Sequence, residues 1–233
     1  MISALESRNP HFPNADRKTL ILFLLAFYTA WTIRVVALMP VDAAIKPIGW
    51  QTLWGQSLRI LLWGVPVWWM LARFHNVNAV GALALDRFPK GKALALTAAV
   101  SIGWILVTAL HGGVVEGKSV ILVTSHPSVK EWAVILLTIA WAPVFEEILF
   151  RGYVHQALRA YHGWIAAGLI SAVLFAVAHW PGWLYMQGLH SGLIAQTVSV
   201  AIIGFVLSAV FETGKSLWPC IIVHTLNNLL WAG

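Results

Sequence analysis

Apolar runs about long enough to cross a lipid bilayer recur along most of the chain, separated by short polar stretches. A spanning helix needs roughly 20 apolar residues. Such runs extend from about Leu20 to Met39, Leu53 to Ala72, Ala93 to Leu110, Trp132 to Phe150, Trp164 to Trp180, Leu193 to Phe211 and Leu217 to Trp231. Pro40 is expected to end the first. The pattern predicts an all-α, polytopic transmembrane bundle of about seven spanning helices, with six to eight as the range. The stretch Val77 to Lys92 is shorter and mixed, and is expected to lie in the membrane interface. No internal repeat and no long linker divides the chain.

The segment 1–19 reads as a polar tail, with Asn9, Pro10, Pro13, Asn14 and several charges. It lacks the short apolar core and small-residue cleavage site of a signal peptide, so the first span is expected to be retained. Residues 20–231 then form a single transmembrane domain.

Composition sharpens this picture. The chain has 233 residues, 59% hydrophobic and 10% charged, whereas a soluble domain carries about 25% charged residues. So few charges cannot coat a soluble surface of this size, and lipid is the expected solvent. The net charge of +6 does not point to nucleic acid, because the basic residues are scattered between apolar runs instead of gathered on one face. The 14 Trp suit membrane interfaces. Cys220 is the one cysteine, so no intrachain disulfide forms, and its apolar surroundings suggest a packed, inert thiol.

Lys and Arg also suggest an orientation. With seven spans and the N-terminus inside, the inner segments carry Arg8, Arg17, Lys18, Arg73, Arg87, Lys90, Lys92, Arg151, Arg159 and Lys215, and the outer ones Lys46, Lys118 and Lys130. The bias favours a cytoplasmic N-terminus. An integral, multi-pass protein of a bacterial or archaeal plasma membrane is expected.

Against this background, polar groups inside the runs stand out, because ionisable side chains in lipid are costly and usually functional. Glu146 and Glu147 sit in the fourth run with Arg151 just after it, His179 ends the fifth, and His224 and Asn228 lie in the seventh. If the fourth helix continues to about Tyr161 and turns at His162 and Gly163, Glu146 and His179 lie at equal depth, each roughly 25 Å from the turn at 1.5 Å per residue. His224 and Asn228, four apart, share a helix face. Glu147 and Arg151, also four apart, can pair. Two adjacent glutamates in lipid need more than one arginine. Arg34 and Arg59 also fall inside runs, and outward snorkelling, lipid binding or a substrate carboxylate are the roles open to them.

This set suits peptide hydrolysis, which needs a base for water and donors for an oxyanion. Glu146 and His179 fit the base, and His224 and Asn228 fit the donors. No serine or cysteine is an evident nucleophile. The alternative is a divalent metal such as zinc on Glu146, His179 and His224, with an open fourth position, although the HExxH motif is absent.

The residues also resemble a known family. Phe145-Glu146-Glu147-Ile148-Leu149-Phe150-Arg151-Gly152 looks like the EExxxR motif of the CAAX protease and bacteriocin-processing (CPBP) family, which includes the type II CAAX prenyl endopeptidases. Phe175 to His179 is similar to its FxxxH motif. The stretch from Gly204 through Glu212-Thr213-Gly214-Lys215-Ser216-Leu217-Trp218-Pro219 to His224 and Asn228 resembles its third block, ending in HxxxN. The order and spacing agree, over about Trp132 to Trp231.

The resemblance implies a helical intramembrane protease of about eight helices, with a catalytic core over about 131–231. It implies that Glu146 and His179 activate water, that His224 and Asn228 form the oxyanion hole, and that Glu147 and Arg151 support them, with Phe175 shaping the site. It leaves open whether a metal takes part. The implied partners are membrane lipid and a peptide or protein with a lipidated or membrane-anchored tail, either a prenylated CAAX-type end or a C-terminal sorting signal.

Blander readings exist for each residue. Glu147 and Arg151 suit a structural ion pair equally well. A lone His179 would be interfacial, beside Trp180 and Pro181, and a lone His224 would bond between helices. Gly204 and Ser208 read as a small-xxx-small packing pair. His75, His111, His126, His155, His162 and His190 lie near expected loops or ends and receive no role. A transporter would place Glu, His and Arg along an ion path but usually shows repeated halves. A catalytically silent scaffold or bacteriocin-immunity-type binding protein would keep the fold without the chemistry.

Overall fold

In the computed structural model the described residues are 16–46, 48–110 and 139–230. The segments 1–15, 111–138 and 231–233 lie outside them, and with them most of the expected tail and the start of the fourth apolar run.

The described chain is all helical bundle. Helix α1 spans Arg17–Ala44, and α2 covers Ile48–Arg59. A π-helical turn, Ile60–Gly64, leads directly into α3, Val65–Met70, and a second π turn, Leu71–His75, closes this rod. The short α4 is Ala79–Ala82 and α5 is Gly91–Leu110. Helix α6 covers 139–147 and continues through a π-helical stretch, Ile148–His155, into α7, Gln156–Leu158. Then come α8 (Trp164–Val177), α9 (Trp180–Gln187), α10 (Leu193–Gly214) and α11 (Leu217–Leu230).

Among the described residues, four helical segments are long and apolar enough to cross a membrane: Arg17–Ala44, Gly91–Leu110, Trp164–Gln187 and Leu193–Gly214. Leu217–Leu230 is apolar but shorter. Large apolar side chains cover the outside of these helices, among them Leu22, Leu25 and Ile33 on α1, Ile102 and Leu106 on α5, and Ile194 and Val198 on α10. A surface this apolar is unstable in water and matches lipid, so the chain is a membrane protein.

Pro40 does not end α1. The helix runs on to Ala44, and the turn beyond the proline is held by polar bonds to Asp42. Arg34 Nη2 donates to Asp42 Oδ2 at 2.6 Å, and Trp54 Nε1 donates to Asp42 Oδ1 at 2.8 Å. Arg34 therefore pairs inside its own helix instead of snorkelling outward. The stretch Val77 to Lys92 packs part of its length against the bundle. Leu83 and Ala84 are buried, and Ala84 O accepts from Leu217 N, Leu85 O from Trp218 Nε1 and Arg87 O from Ser216 Oγ. These bonds satisfy a non-helical backbone that lipid would leave unpaired.

At the centre lies the π-helical stretch. It packs against α8, α10 and α11 on one side and the π turn Ile60–Gly64 and α3 on the other. Every residue from 149 to 158 is buried, as expected for a helix surrounded by protein on all faces. The hairpin to α8 turns where the sequence suggests, with His162 N bonding Leu158 O and Arg159 Nη1 reaching His162 O. Its register is fixed by Ser171 Oγ donating to Phe150 O at 3.0 Å.

Candidate active site

The site is built on the last turn of α6, the end of α8 and the middle of α11. Glu146 and Glu147 precede the π-helical stretch, whose i→i+5 bonding is rare and often found at functional positions. Neighbours in sequence, the two glutamates have different surroundings. Glu147 and Arg151 have side chains with no exposure, and Arg151 Nη1 donates to Glu147 Oε1 at 2.9 Å. Arg151 Nη2 donates to Gly204 O at 2.8 Å, and its guanidinium lies 4.6 Å from the Phe175 ring centroid. The arginine thus ties the central helix to α10 and α8 at once.

Helix α11 brings His224 between the two carboxylates. Its Nδ1 is 2.7 Å from Glu147 Oε1, and its Nε2 is 3.6 Å from Glu146 Oε2. A carboxylate only accepts, so Nδ1 carries the hydrogen and Nε2 faces Glu146 across a gap too long for a hydrogen bond. Asn228 lies one turn further along α11 and is partly buried. No hydrogen bond ties it to Glu146, His179 or His224 among the described residues. Its neighbour Asn227 accepts from Trp104 Nε1 of α5 at 3.0 Å.

His179 sits where α8 gives way to α9. Its Nδ1 is 2.9 Å from Phe175 O, and because a carbonyl only accepts, the hydrogen is on Nδ1. Nε2 is left as the basic nitrogen. Helix α1 braces this break, with Trp31 Nε1 donating to Ala178 O at 2.8 Å and Tyr28 Oη to Leu174 O at 2.5 Å. Phe175 stands edge-on between the two histidines, 5.0 Å from the His179 ring and 5.6 Å from the His224 ring. Glu146 is in electrostatic contact with both.

The structure therefore gathers Glu146, Glu147, Arg151, Phe175, His179 and His224 around one centre. It adds a residue whose expected roles are snorkelling, lipid binding or pairing with a substrate carboxylate. Arg59, at the end of α2, donates from Nη1 to Glu146 Oε1 at 2.6 Å. It points inward at a carboxylate rather than outward at lipid. The signal for it was the need for a second cation beside paired glutamates, although the sequence does not say which arginine answers that need.

Among the described residues no group of three or more His, Cys, Asp or Glu is placed to hold a metal ion. Arg59 bonds Glu146 Oε1, Glu147 bonds His224 Nδ1 and Phe175 O bonds His179 Nδ1, so the atoms turned to the centre are Glu146 Oε2, His224 Nε2 and His179 Nε2.

Away from the centre, Glu212 gathers three partners near the end of α10. His155 Nε2 lies 2.9 Å from its Oε1, Arg159 Nε is also 2.9 Å away, and Lys215 pairs with Oε2. His155 lies in the buried π-helical stretch, not near a loop as its place in the sequence suggests. The pair Gly204 and Ser208 packs α10 onto α8: a Cβ on Gly204 would lie 3.1 Å from Ala172 Cα.

Comparison with known families bears on residues 128–230, which match the family model described as type II CAAX prenyl endopeptidase Rce1-like. No curated protein matches the chain. No solved structure matches it. The matched segment contains Glu146, Glu147, Arg151, Phe175, His179, His224 and Asn228.

Proposed function

We propose that the protein is a multi-pass intramembrane endopeptidase that hydrolyses a peptide bond near the lipidated or membrane-anchored end of its substrate. A prenylated CAAX-type end and a C-terminal sorting signal are the two substrate classes. The observation that carries this reading is the convergence of Glu146, His224 and His179 from three helices, in a chain whose outer surface is apolar.

In this reading a water lies between Glu146 Oε2 and His179 Nε2. These groups take its proton as its oxygen attacks the scissile carbonyl carbon. The carbonyl oxygen becomes an oxyanion, which accepts from His224 Nε2–H, with His224 as imidazolium, and from the Asn228 amide. Collapse breaks the C–N bond, and the proton held by the base passes to the leaving amine. General acid–base assistance of this kind supplies about 10²–10⁴-fold, and each oxyanion donor about 10²–10³-fold. The reaction needs no metal, in keeping with the Arg59–Glu146 pair. The N-terminus is placed in the cytoplasm on the Lys and Arg bias.

The test is cleavage by purified protein in liposomes, using libraries of prenylated and transmembrane-tail peptides. Wild type is compared with Glu146→Gln, each with and without a chelator. Cleavage by wild type alone, unchanged by chelator, supports the whole reading. Loss of activity on chelation, restored by zinc, overturns the metal-free step. No cleavage by folded wild type favours a silent scaffold.

A further inference from the structure

The structure assigns Arg59 to the active centre as the positioning residue of Glu146, a role carried by a helix outside the family-matched residues 128–230. This inference rests on the protease reading above. Three observations lead to it.

The first is the bond itself. Arg59 Nη1 lies 2.6 Å from Glu146 Oε1, a charge-assisted hydrogen bond at the short end of its range. It leaves Oε2 as the oxygen that faces His224. Which of its two oxygens Glu146 offers to a water is thus set by Arg59. Glu147 cannot take that part, since Arg151 and His224 share its Oε1 inside a fully buried cluster.

The second is charge balance. Glu146 and Glu147 are both buried, and a buried carboxylate without a partner is strongly disfavoured. Arg151 answers Glu147, and Arg59 answers Glu146. The arginines differ as the roles require: the Arg151 side chain has no exposure, whereas that of Arg59 is 27% exposed. Arg59 is therefore partly open at the edge of the described bundle, while Arg151 is sealed in the frame.

The third is that Arg59 is itself held in place. Its guanidinium lies 6.0 Å from the Trp31 ring and 5.8 Å from the Trp63 ring, within reach of cation–π attraction. Immediately after it the helix widens into the π turn Ile60–Gly64. There Gly64 lets Phe145, the residue before Glu146, approach so closely that a Cβ would lie 2.9 Å from its ring. Helix α2 and the glutamate-bearing helix are thereby clamped at this level, and an arginine one turn before Gly64 reaches Glu146.

The experiment uses full-length protein in liposomes and a peptide that wild type cleaves, with Glu146→Gln as the inactive reference. Arg59→Gln is expected to lower kcat at least about tenfold with KM little changed, because the bond is to a catalytic group and not to substrate. Arg59→Lys should recover part of the loss. In Arg59→Ala, added guanidinium or methylguanidinium should raise kcat, since the partly exposed position can admit a small cation, and it should not help Glu146→Gln. If Arg59→Gln unfolds, the lysine variant and the guanidinium rescue still decide the matter. Wild-type kcat in Arg59→Gln, or folded Lys and Ala variants that are both inactive and unresponsive to guanidinium, would overturn the assignment while leaving the protease reading intact. A wild-type protein that cleaves nothing would overturn both.

Discussion

His224 Nδ1 lies 2.7 Å from Glu147 Oε1, while its Nε2 stands 3.6 Å from Glu146 Oε2. One imidazole thereby separates two adjacent glutamates into different tasks. The bonded side fixes the ring plane and the tautomer, as a partner behind a catalytic histidine does. The open side is left for chemistry.

This asymmetry predicts a split between the two glutamine variants. Glu147→Gln removes the ionic partner of a fully buried Arg151 and one anchor of His224. Leaving a buried charge unpaired costs about 3–5 kcal/mol, so its thermal midpoint in detergent should fall by many degrees. Glu146→Gln leaves an arginine that is 27% exposed and can be solvated. It should lose activity with a much smaller fall in midpoint. Equal destabilisation by the two changes would show that the glutamates do not differ in this way.

Much of the fold was legible in the sequence because apolar run length and breaker residues are local signals. The hairpin between Glu146 and His179 turns near His162, and Glu147 meets Arg151 at the expected spacing. What failed was long-range or cooperative. Arg59 finds Glu146 across 87 positions, and nothing near Arg59 in the sequence marks that partner. Pro40 suggests a stop because its lost hydrogen bond is a local fact, whereas the bond from Trp54 of α2 to Asp42, two residues beyond it, is a tertiary one. The π-helical stretch that buries His155 has the same composition as an α-helix. The family match shares this limit, since it covers 128–230 and so omits Tyr28 and Trp31, which brace the end of α8 by His179.

Cys220 should be chemically silent in the folded protein. Its side chain is fully buried on α11, with Sγ donating to Leu207 O at 3.4 Å. A maleimide should label it slowly in native micelles and rapidly after unfolding in strong detergent. Fast labelling of the native protein would mean that α11 opens away from α10.

Asp16 predicts a pH effect outside the membrane. Its carboxylate caps α1 by accepting from Thr19 N at 3.0 Å, and hydrogen bonding from the Thr19 side chain, then from this backbone N–H, holds its pKa below the ordinary 3.8. A carboxyl group whose folded pKa is depressed contributes stability above its unfolded value and loses it as pH falls through the folded value. Protection of the Thr19 amide from hydrogen exchange, corrected for intrinsic rates, should therefore hold at neutral pH and decline below about pH 4. In Asp16→Ala it should be low throughout. A flat, high profile in both proteins would show that the cap does not stabilise the end of α1.

Gly204 links packing to the site most directly. Its carbonyl accepts from Arg151 Nη2 and from Ser208 Oγ, and a Cβ there would lie 3.1 Å from Ala172 Cα and 3.2 Å from Arg151 Nη2. The first neighbour is backbone and cannot rotate away, so Gly204→Ala must push α10 from α8 or displace the guanidinium. Overpacking of this kind costs about 1–3 kcal/mol. Moving Arg151 also disturbs Glu147, and through it His224, so kcat should fall along with the thermal midpoint. Gly103→Ala on α5 is the control, since a Cβ there meets nothing within 4 Å, and it should leave both unchanged. A Gly204→Ala protein matching wild type in midpoint and kcat would show that the α8–α10 contact is slack enough to absorb a methyl group, and that Arg151 does not depend on the Gly204 carbonyl for its position.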